Sequence, residues 1–260
     1  MIRAFRIWPL MLATAVAVRA DPPARVVSLA PNLTDMVLHL GAGESLAGVT
    51  PFCAAPDEVP RVAGGMQPEA ETILAIGPDL VLASSITPAP TLRQLRRLGI
   101  RTEVFSTGSL EEIRTATARL AAIFGRDAPR EPAPDGVRPS RTAVLLFGAD
   151  TAYSAGCGTH AHEILGAAGL HNIAAEASGP WPQLGEEFLL ASDPDVIIVA
   201  DYGGAKREAV LALLRGHPVR RHLRAVREDR VVVFPARAFS IPGPAALQAG
   251  QKLRDEVEKL

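Results

Sequence analysis

The chain of 260 residues has no run of charge of either sign: 27 lysines and arginines stand against 28 aspartates and glutamates, a formal net charge of −1. The absence of a basic run argues against nucleic acid as a partner. No apolar stretch reaches the roughly 20 residues that a membrane-crossing helix needs. Cysteine is nearly absent. Cys53 and Cys157 are the only two, and they fall in different halves, so they are either one bridge between the halves or two separate thiols. Neither a G-x-S-x-G elbow nor an H-E-x-x-H motif occurs, and no nucleophile stands beside a candidate base. An enzyme is the weaker reading.

What remains is a globular composition, 48% hydrophobic and 21% charged, with 22 glycines and 22 prolines to serve many short connections. That supports one large domain or two lobes of roughly 100 residues. The N-terminus reads as a cleavable secretory signal: Arg3 and Arg6 precede an apolar core over residues 7–18, and Val18-Arg-Ala20 suits cleavage. Losing residues 1–20 takes Arg3, Arg6 and Arg19 away and brings the formal charge to −4. No cysteine stands at the cleavage site to take a lipid. The mature protein is expected to be exported, soluble and monomeric.

The chain is organised around an internal repeat. Glu71-Thr-Ile-Leu-Ala-Ile-Gly-Pro-Asp-Leu-Val-Leu82 recurs as Glu187-Phe-Leu-Leu-Ala-Ser-Asp-Pro-Asp-Val-Ile-Ile198, 116 residues later, with Glu, Leu, Ala, Pro and Asp identical. A period this long means two copies of one structural unit. Each copy reads as a short helix with acids at its start, stopped by Pro78 or Pro194, and then an apolar strand. Strands apolar on both faces must be covered on both, as in a parallel α/β sheet. The first helix is expected to open at Pro68.

Around the repeat, strands are expected at residues 25–30, 46–50, 102–105, 142–147 and 231–234. Asn32 is expected to cap the helix that follows the first strand. A capping box at Ser109-Leu-Glu-Glu112 opens a helix to about Phe124, and a final helix starts at Pro244. Residues 126–141 hold four prolines and seven charges, a linker composition. The boundaries are therefore 1–20 for the signal peptide, 21–125 for an N-terminal lobe with an interlobe helix, 126–141 for the linker and 142–260 for a C-terminal lobe. Ligand positions belong in loops at the carboxyl ends of the strands.

Several stretches carry a resemblance: Arg25-Val-Val-Ser-Leu-Ala-Pro-Asn-Leu-Thr34, Leu40-Gly-Ala-Gly43, Val62-Ala-Gly-Gly65, the first repeat copy, and Pro180-Trp-Pro-Gln183 ahead of Glu187. Together they look like the periplasmic cobalamin and iron-siderophore binding proteins of ABC importers, over nearly all of residues 25–260, with the cobalamin-binding members most similar. The resemblance implies a class III periplasmic binding protein architecture: an α/β fold of two Rossmann-like lobes with parallel sheets, joined by one helix or linker. It implies a cleft holding one ligand, touched by Phe52, Tyr153, Trp181 and the segment 236–239, which includes Arg237 and Phe239. It also implies that Glu71 and Glu187 pair with arginines on the two permease subunits. No metal or cofactor of the protein's own is implied; the expected ligand is cobalamin, with haem or a ferric siderophore as the alternative.

Two departures stand beside that pattern. Residues 109–124 allow only about 24 Å of helix at 1.5 Å per residue, so a looser tether between the lobes is expected. Cobalamin-binding members often carry a tryptophan near Gly64-Gly65, and none stands there. Cys157-Gly-Thr-His160-Ala-His162 suggests a metal or axial ligand, but two histidines two apart on a helix face different ways, and solvated or helix-start histidines are the better reading. Gly156-Cys-Gly158-Thr-His-Ala161 matches a dinucleotide pattern but stands about eight residues beyond its strand, where the pattern should follow at once.

Overall fold

The computed structural model describes residues 21–64, 67–130 and 138–260. The first half runs β1 (Val26–Ser28), α1 (Pro31–His39), β2 (Leu46–Val49), a small hairpin of β3 (Ala63–Gly64) and β4 (Gln67–Pro68), α2 (Ala70–Ile76), β5 (Leu80–Ser84), α3 (Ala89–Arg97), β6 (Thr102–Phe105) and α4 (Leu110–Ile123). The second runs β7 (Arg141–Leu146), α5 (His160–Ala167), β8 (Leu170–Asn172), α6 (Glu186–Ser192), β9 (Val196–Asp201), α7 (Arg207–Gly216), α8 (Arg224–Arg227), β10 (Val231–Pro235), α9 (Arg237–Ser240) and α10 (Pro244–Val257).

Each half builds a four-stranded sheet, in the orders β2-β1-β5-β6 and β10-β9-β7-β8. Every pair within them is parallel. Numbered within its own half, each sheet has the order second, first, third, fourth strand. The duplication is therefore one of topology as well as of sequence. The repeat strands β5 and β9 are sealed on both faces, as their apolar runs require.

The identical Pro-Asp of the two copies has a structural cause. The Asp79 carboxylate accepts from the Ala24 and Arg25 backbone N–H groups at 3.0 and 2.9 Å, fastening the start of β1. In the second copy Asp195 accepts from the N–H and hydroxyl of Thr142 at 2.8 Å each, fastening the start of β7. The helix stops also match: Gly77 (φ 64) and Asp193 (φ 32), 116 residues apart, both take the left-handed conformation.

Two helix starts differ from expectation. Asn32 is not a cap; Ala30 occupies that position with Pro31 in the first turn, and the Asn32 amide instead donates to Thr107 Oγ1 at 2.9 Å. Pro68 does not open α2. Its segment pairs in the hairpin and the helix begins at Ala70. Ser109 caps α4 by accepting from Glu112 N–H, while the Glu112 carboxylate reaches back to Gly108 N–H at 2.7 Å.

The expectation of a loose tether is overturned. Residues 131–137 of the linker lie outside the described residues; the described residues of the two halves pack directly on one another. One apolar core runs through both halves, joining Leu33 and Met36 of α1, Ile113 and Leu120 of α4, Ile164 and Leu165 of α5, and Ala246 and Leu253 of α10. Gly250 of α10 crosses α5 so closely that a Cβ there would stand 2.6 Å from Ala167 Cβ. Glu163 of α5 accepts from Leu110 N–H at 2.6 Å, and Arg237 pairs with Asp35 across the halves at 2.6 Å. α4 packs against α1, α5 and α10, so the two halves touch along this seam. Cys53 (buried) and Cys157 (exposed) are free thiols. No helix among the described residues is long and apolar enough to cross a membrane; the signal-like residues 1–20 lie outside them.

Candidate functional site

A groove of about 400 Å³ lies between the lobes at the carboxyl ends of the strands, the crevice where open parallel sheets bind ligands. The first half contributes residues 29–32 after β1, Thr50 and Phe52 after β2, residues 84–88 after β5, and Thr107 and Gly108 after β6. The second contributes residues 158–160 at the start of α5, Pro180 and Trp181 after β8, and Ser240 and Pro242 beside α9.

Trp181 sits on a strap fixed on both sides. Gly156 N–H donates to Pro180 O and Ser154 N–H to Pro182 O, both at 2.9 Å, and Tyr153 forms a β-bridge with Gln183. The strap approaches so closely at Gly156 that a Cβ would come within 2.4 Å of Gly179 O; only glycine fits there. The indole stands edge-on to Phe147 and His160, with ring centroids 5.8 and 6.2 Å away. It is 47% exposed, and Phe52 and Ile86 opposite are 62% and 90% exposed. These are large apolar faces held open toward the groove.

The polar lining is neutral. Thr50, Ser84, Ser85, Thr87, Thr107, Thr159 and Ser240 supply hydroxyls and Asn32 an amide. Several are already held by protein partners: Thr87 Oγ1 accepts from Ser84 N–H at 3.1 Å and Ser240 donates to Ala236 O at 3.0 Å. A hydroxyl has one donor and two acceptor sites, so each keeps capacity for a ligand. Among the described residues no Asp, Glu, Lys or Arg lines the groove. His160, also lining it, is buried and opens α5. Burial pushes its pKa down to about 4, against a hydrogen bond to the Phe239 backbone that pulls the other way. The ring is neutral, and its Nε2 has no partner among the described residues.

Of the ligand contacts expected from the sequence, Phe52 and Trp181 line this groove. Phe239 does not, and that expectation is corrected: its ring is fully buried, packed on Phe234 at 5.5 Å, and only its backbone reaches the site, through His160. Arg237 faces a neighbouring depression, with Asp201 and Tyr202, and is engaged by Asp35. Tyr153 is exposed but is not among the lining side chains. His160 is at a helix start as expected but is not solvated. His162 turns away to Asn172, 3.2 Å from its Nδ1, and no cluster of three or more metal-ligating side chains occurs among the described residues. Sequence reasoning missed Ile86 and the hydroxyls around it; their position just past a continuous apolar strand was the available signal.

Glu71 and Glu187 occupy equivalent exposed positions in the first turns of α2 and α6. Gln94 Nε2 donates to Glu71 at 2.9 Å. The neighbouring Glu186 is committed internally. It accepts from Arg220 Nη2 at 2.7 Å, and that guanidinium, buried, also donates to Ala149 O at 2.7 Å.

The family model described as a periplasmic binding protein matches residues 26–131 and again 127–238. The chain belongs to the periplasmic binding protein family. As a member it is a solute-binding protein and not an enzyme. A cobalamin-binding protein of Halobacterium salinarum is 28% identical over 256 residues, covering 90% of this chain and 69% of the relative. A vitamin B12-binding protein of Pectobacterium atrosepticum is 28% identical over 262 residues, covering 92% and 90%. Among solved structures, the periplasmic haem-binding protein BhuT in complex with two haems superposes with a TM-score of 0.74 at 26% identity, covering 90% of this chain and 98% of that one. The periplasmic vitamin B12-binding protein BtuF of Vibrio cholerae superposes at 0.69, with 24% identity and coverage of 92% and 98%, and supports the fold.

Proposed function

We propose that this periplasmic binding protein captures a corrinoid, cobalamin, between its lobes and delivers it to an ABC importer. The observation that carries this reading is the neutral groove: broad apolar faces at Phe52, Ile86 and Trp181, a ring of hydroxyls, and no charged side chain among the described lining residues. A corrin is a flat macrocycle edged with carboxamides, which hydroxyls and backbone groups can pair without a counter-charge. Haem carries two carboxylates, and most ferric siderophores are anionic; burying either beside an apolar wall calls for cations. Arg237 faces the adjacent depression and is paired with Asp35. The names of the curated relatives point the same way. Residues 1–20 read as an export signal, which would place the mature chain in the periplasm, where Glu71 and Glu187 meet the permease dimer.

Haem is the second reading, supported by the likeness to a haem-binding protein. Trp8 leaves with the signal peptide, so Trp181 is the sole tryptophan in the mature chain. Titration with cobalamin, haem and a ferric siderophore should quench its emission saturably with cobalamin alone. Saturation only by haem or siderophore moves the assignment to that ligand, and no response to any of the three overturns the site.

A further inference from the structure

The two repeat copies differ where divergence should be slow and agree where it should be free. From Glu71 to Ile76 and from Glu187 to Ser192, burial runs in register: exposed, half-buried, buried, exposed, exposed, half-buried. The buried or half-buried positions have all changed, Thr to Phe, Ile to Leu and Ile to Ser. The three exposed positions are identical: Glu71, Leu74 and Ala75 in one copy, Glu187, Leu190 and Ala191 in the other. Spacings of three and four residues put each trio on one helix face. The leucines are 46% and 43% exposed. One exposed leucine is ordinary; the same leucine beside the same glutamate on two diverged helices is not. The shared Pro-Asp has an internal cause in the strand anchors, but nothing within the lobes requires an identical exposed face.

We infer that each Glu-Leu-Ala face is one half of a docking surface for a two-fold symmetric membrane partner, in which the leucine enters an apolar socket beside the cation that takes the glutamate. The inference rests on the importer reading and deepens it from a pair of charges to a pair of composite contacts. Both helices end just ahead of their strands at the amino edge of the sheet, so both begin on the carboxyl edge, where the groove lies. A pseudo-two-fold molecule that keeps one outward face twice fits a partner that offers one inward face twice. Charge complementarity supplies orientation and rate, and the leucines supply area that salt does not screen.

The test measures binding of the full mature protein to the ABC importer of its own organism in lipid nanodiscs, for Leu74→Ser, Leu190→Ser, the double variant, and Glu71→Lys with Glu187→Lys. Leu213→Ser is the control, since Leu213 is 63% exposed and faces no leucine in the other copy, where Arg97 stands. Each leucine variant should bind about tenfold more weakly and the double about a hundredfold, with ligand affinity and melting temperature unchanged and the control binding normally. High salt should weaken the wild type and the leucine variants by the same factor. Loss on glutamate reversal with unchanged binding of the leucine variants overturns this inference and leaves the importer reading standing. No loss in any variant overturns both. A concentration-dependent dimer, or binding to protein-free vesicles of the same lipids, that disappears in the leucine variants assigns the face to a second copy or to lipid and also overturns it.

Discussion

Acidification gives a test of the site that needs no ligand. His160 is buried, with its pKa lowered to about 4 chiefly by that burial, whereas an unfolded histidine titrates near 6.5. The proton therefore prefers the unfolded chain. This group's contribution is fully present above about pH 6.5 and is lost as the pH falls from there toward 4, where the folded ring also charges. At pH 4.5 the loss from this residue comes to about 2.5 kcal/mol. Denaturant unfolding at pH 7.5 and 4.5 would measure it for the wild type and for His160→Gln. Asp35, raised by burial against the opposing Arg237, remains in both proteins and cancels in the comparison. So does Asp195, where Thr142, Arg224 and Arg230 outweigh the effect of burial and hold the carboxyl low. The wild type should lose about 2.5 kcal/mol more than the variant between the two pH values. Equal losses, or a ring titration by NMR centred near 6.5, would refute the burial argument for the neutral groove.

Three further substitutions separate ligand contact from scaffold. Trp181→Ala removes roughly 100 Å² of open aromatic surface, which at about 25 cal/mol per Å² is about 2.5 kcal/mol, or about a 70-fold loss of cobalamin affinity by calorimetry; a loss under about threefold would contradict its contact role. Glu186→Ala leaves the Arg220 guanidinium buried without its partner and should lower unfolding stability by about 3 kcal/mol, while Glu187→Ala should stay within about 0.5 kcal/mol. Equal effects at the two positions would mean that adjacent glutamates do not divide into an internal tie and an outward face.

The sheets were legible in the chain because a strand covered on both faces has to be apolar throughout. Runs such as 80–83 and 196–200 stand out for that reason, and the repeat then revealed the doubling. Short elements were not: Leu170–Asn172 is a strand only because Arg141–Ala143 lies alongside it, and no three-residue pattern announces that. At the site, Phe52 and Trp181 were legible as aromatics in loops past strands. Phe239 was misread because the same residue type in a similar place can face the core, and its direction is decided by Phe234 and the α9 turn.

The doubled α/β unit, its strand ends and its paired outward glutamates followed from the order of the residues, since each depends on local period, capping and punctuation. The spacing of the lobes did not. It is decided by α1, α4, α5 and α10 sharing one core across a linker whose composition suggested looseness. The groove's freedom from charge was equally invisible in one dimension. Arg237 and Asp35 are 202 residues apart in the chain, and only the fold brings them together beside the groove.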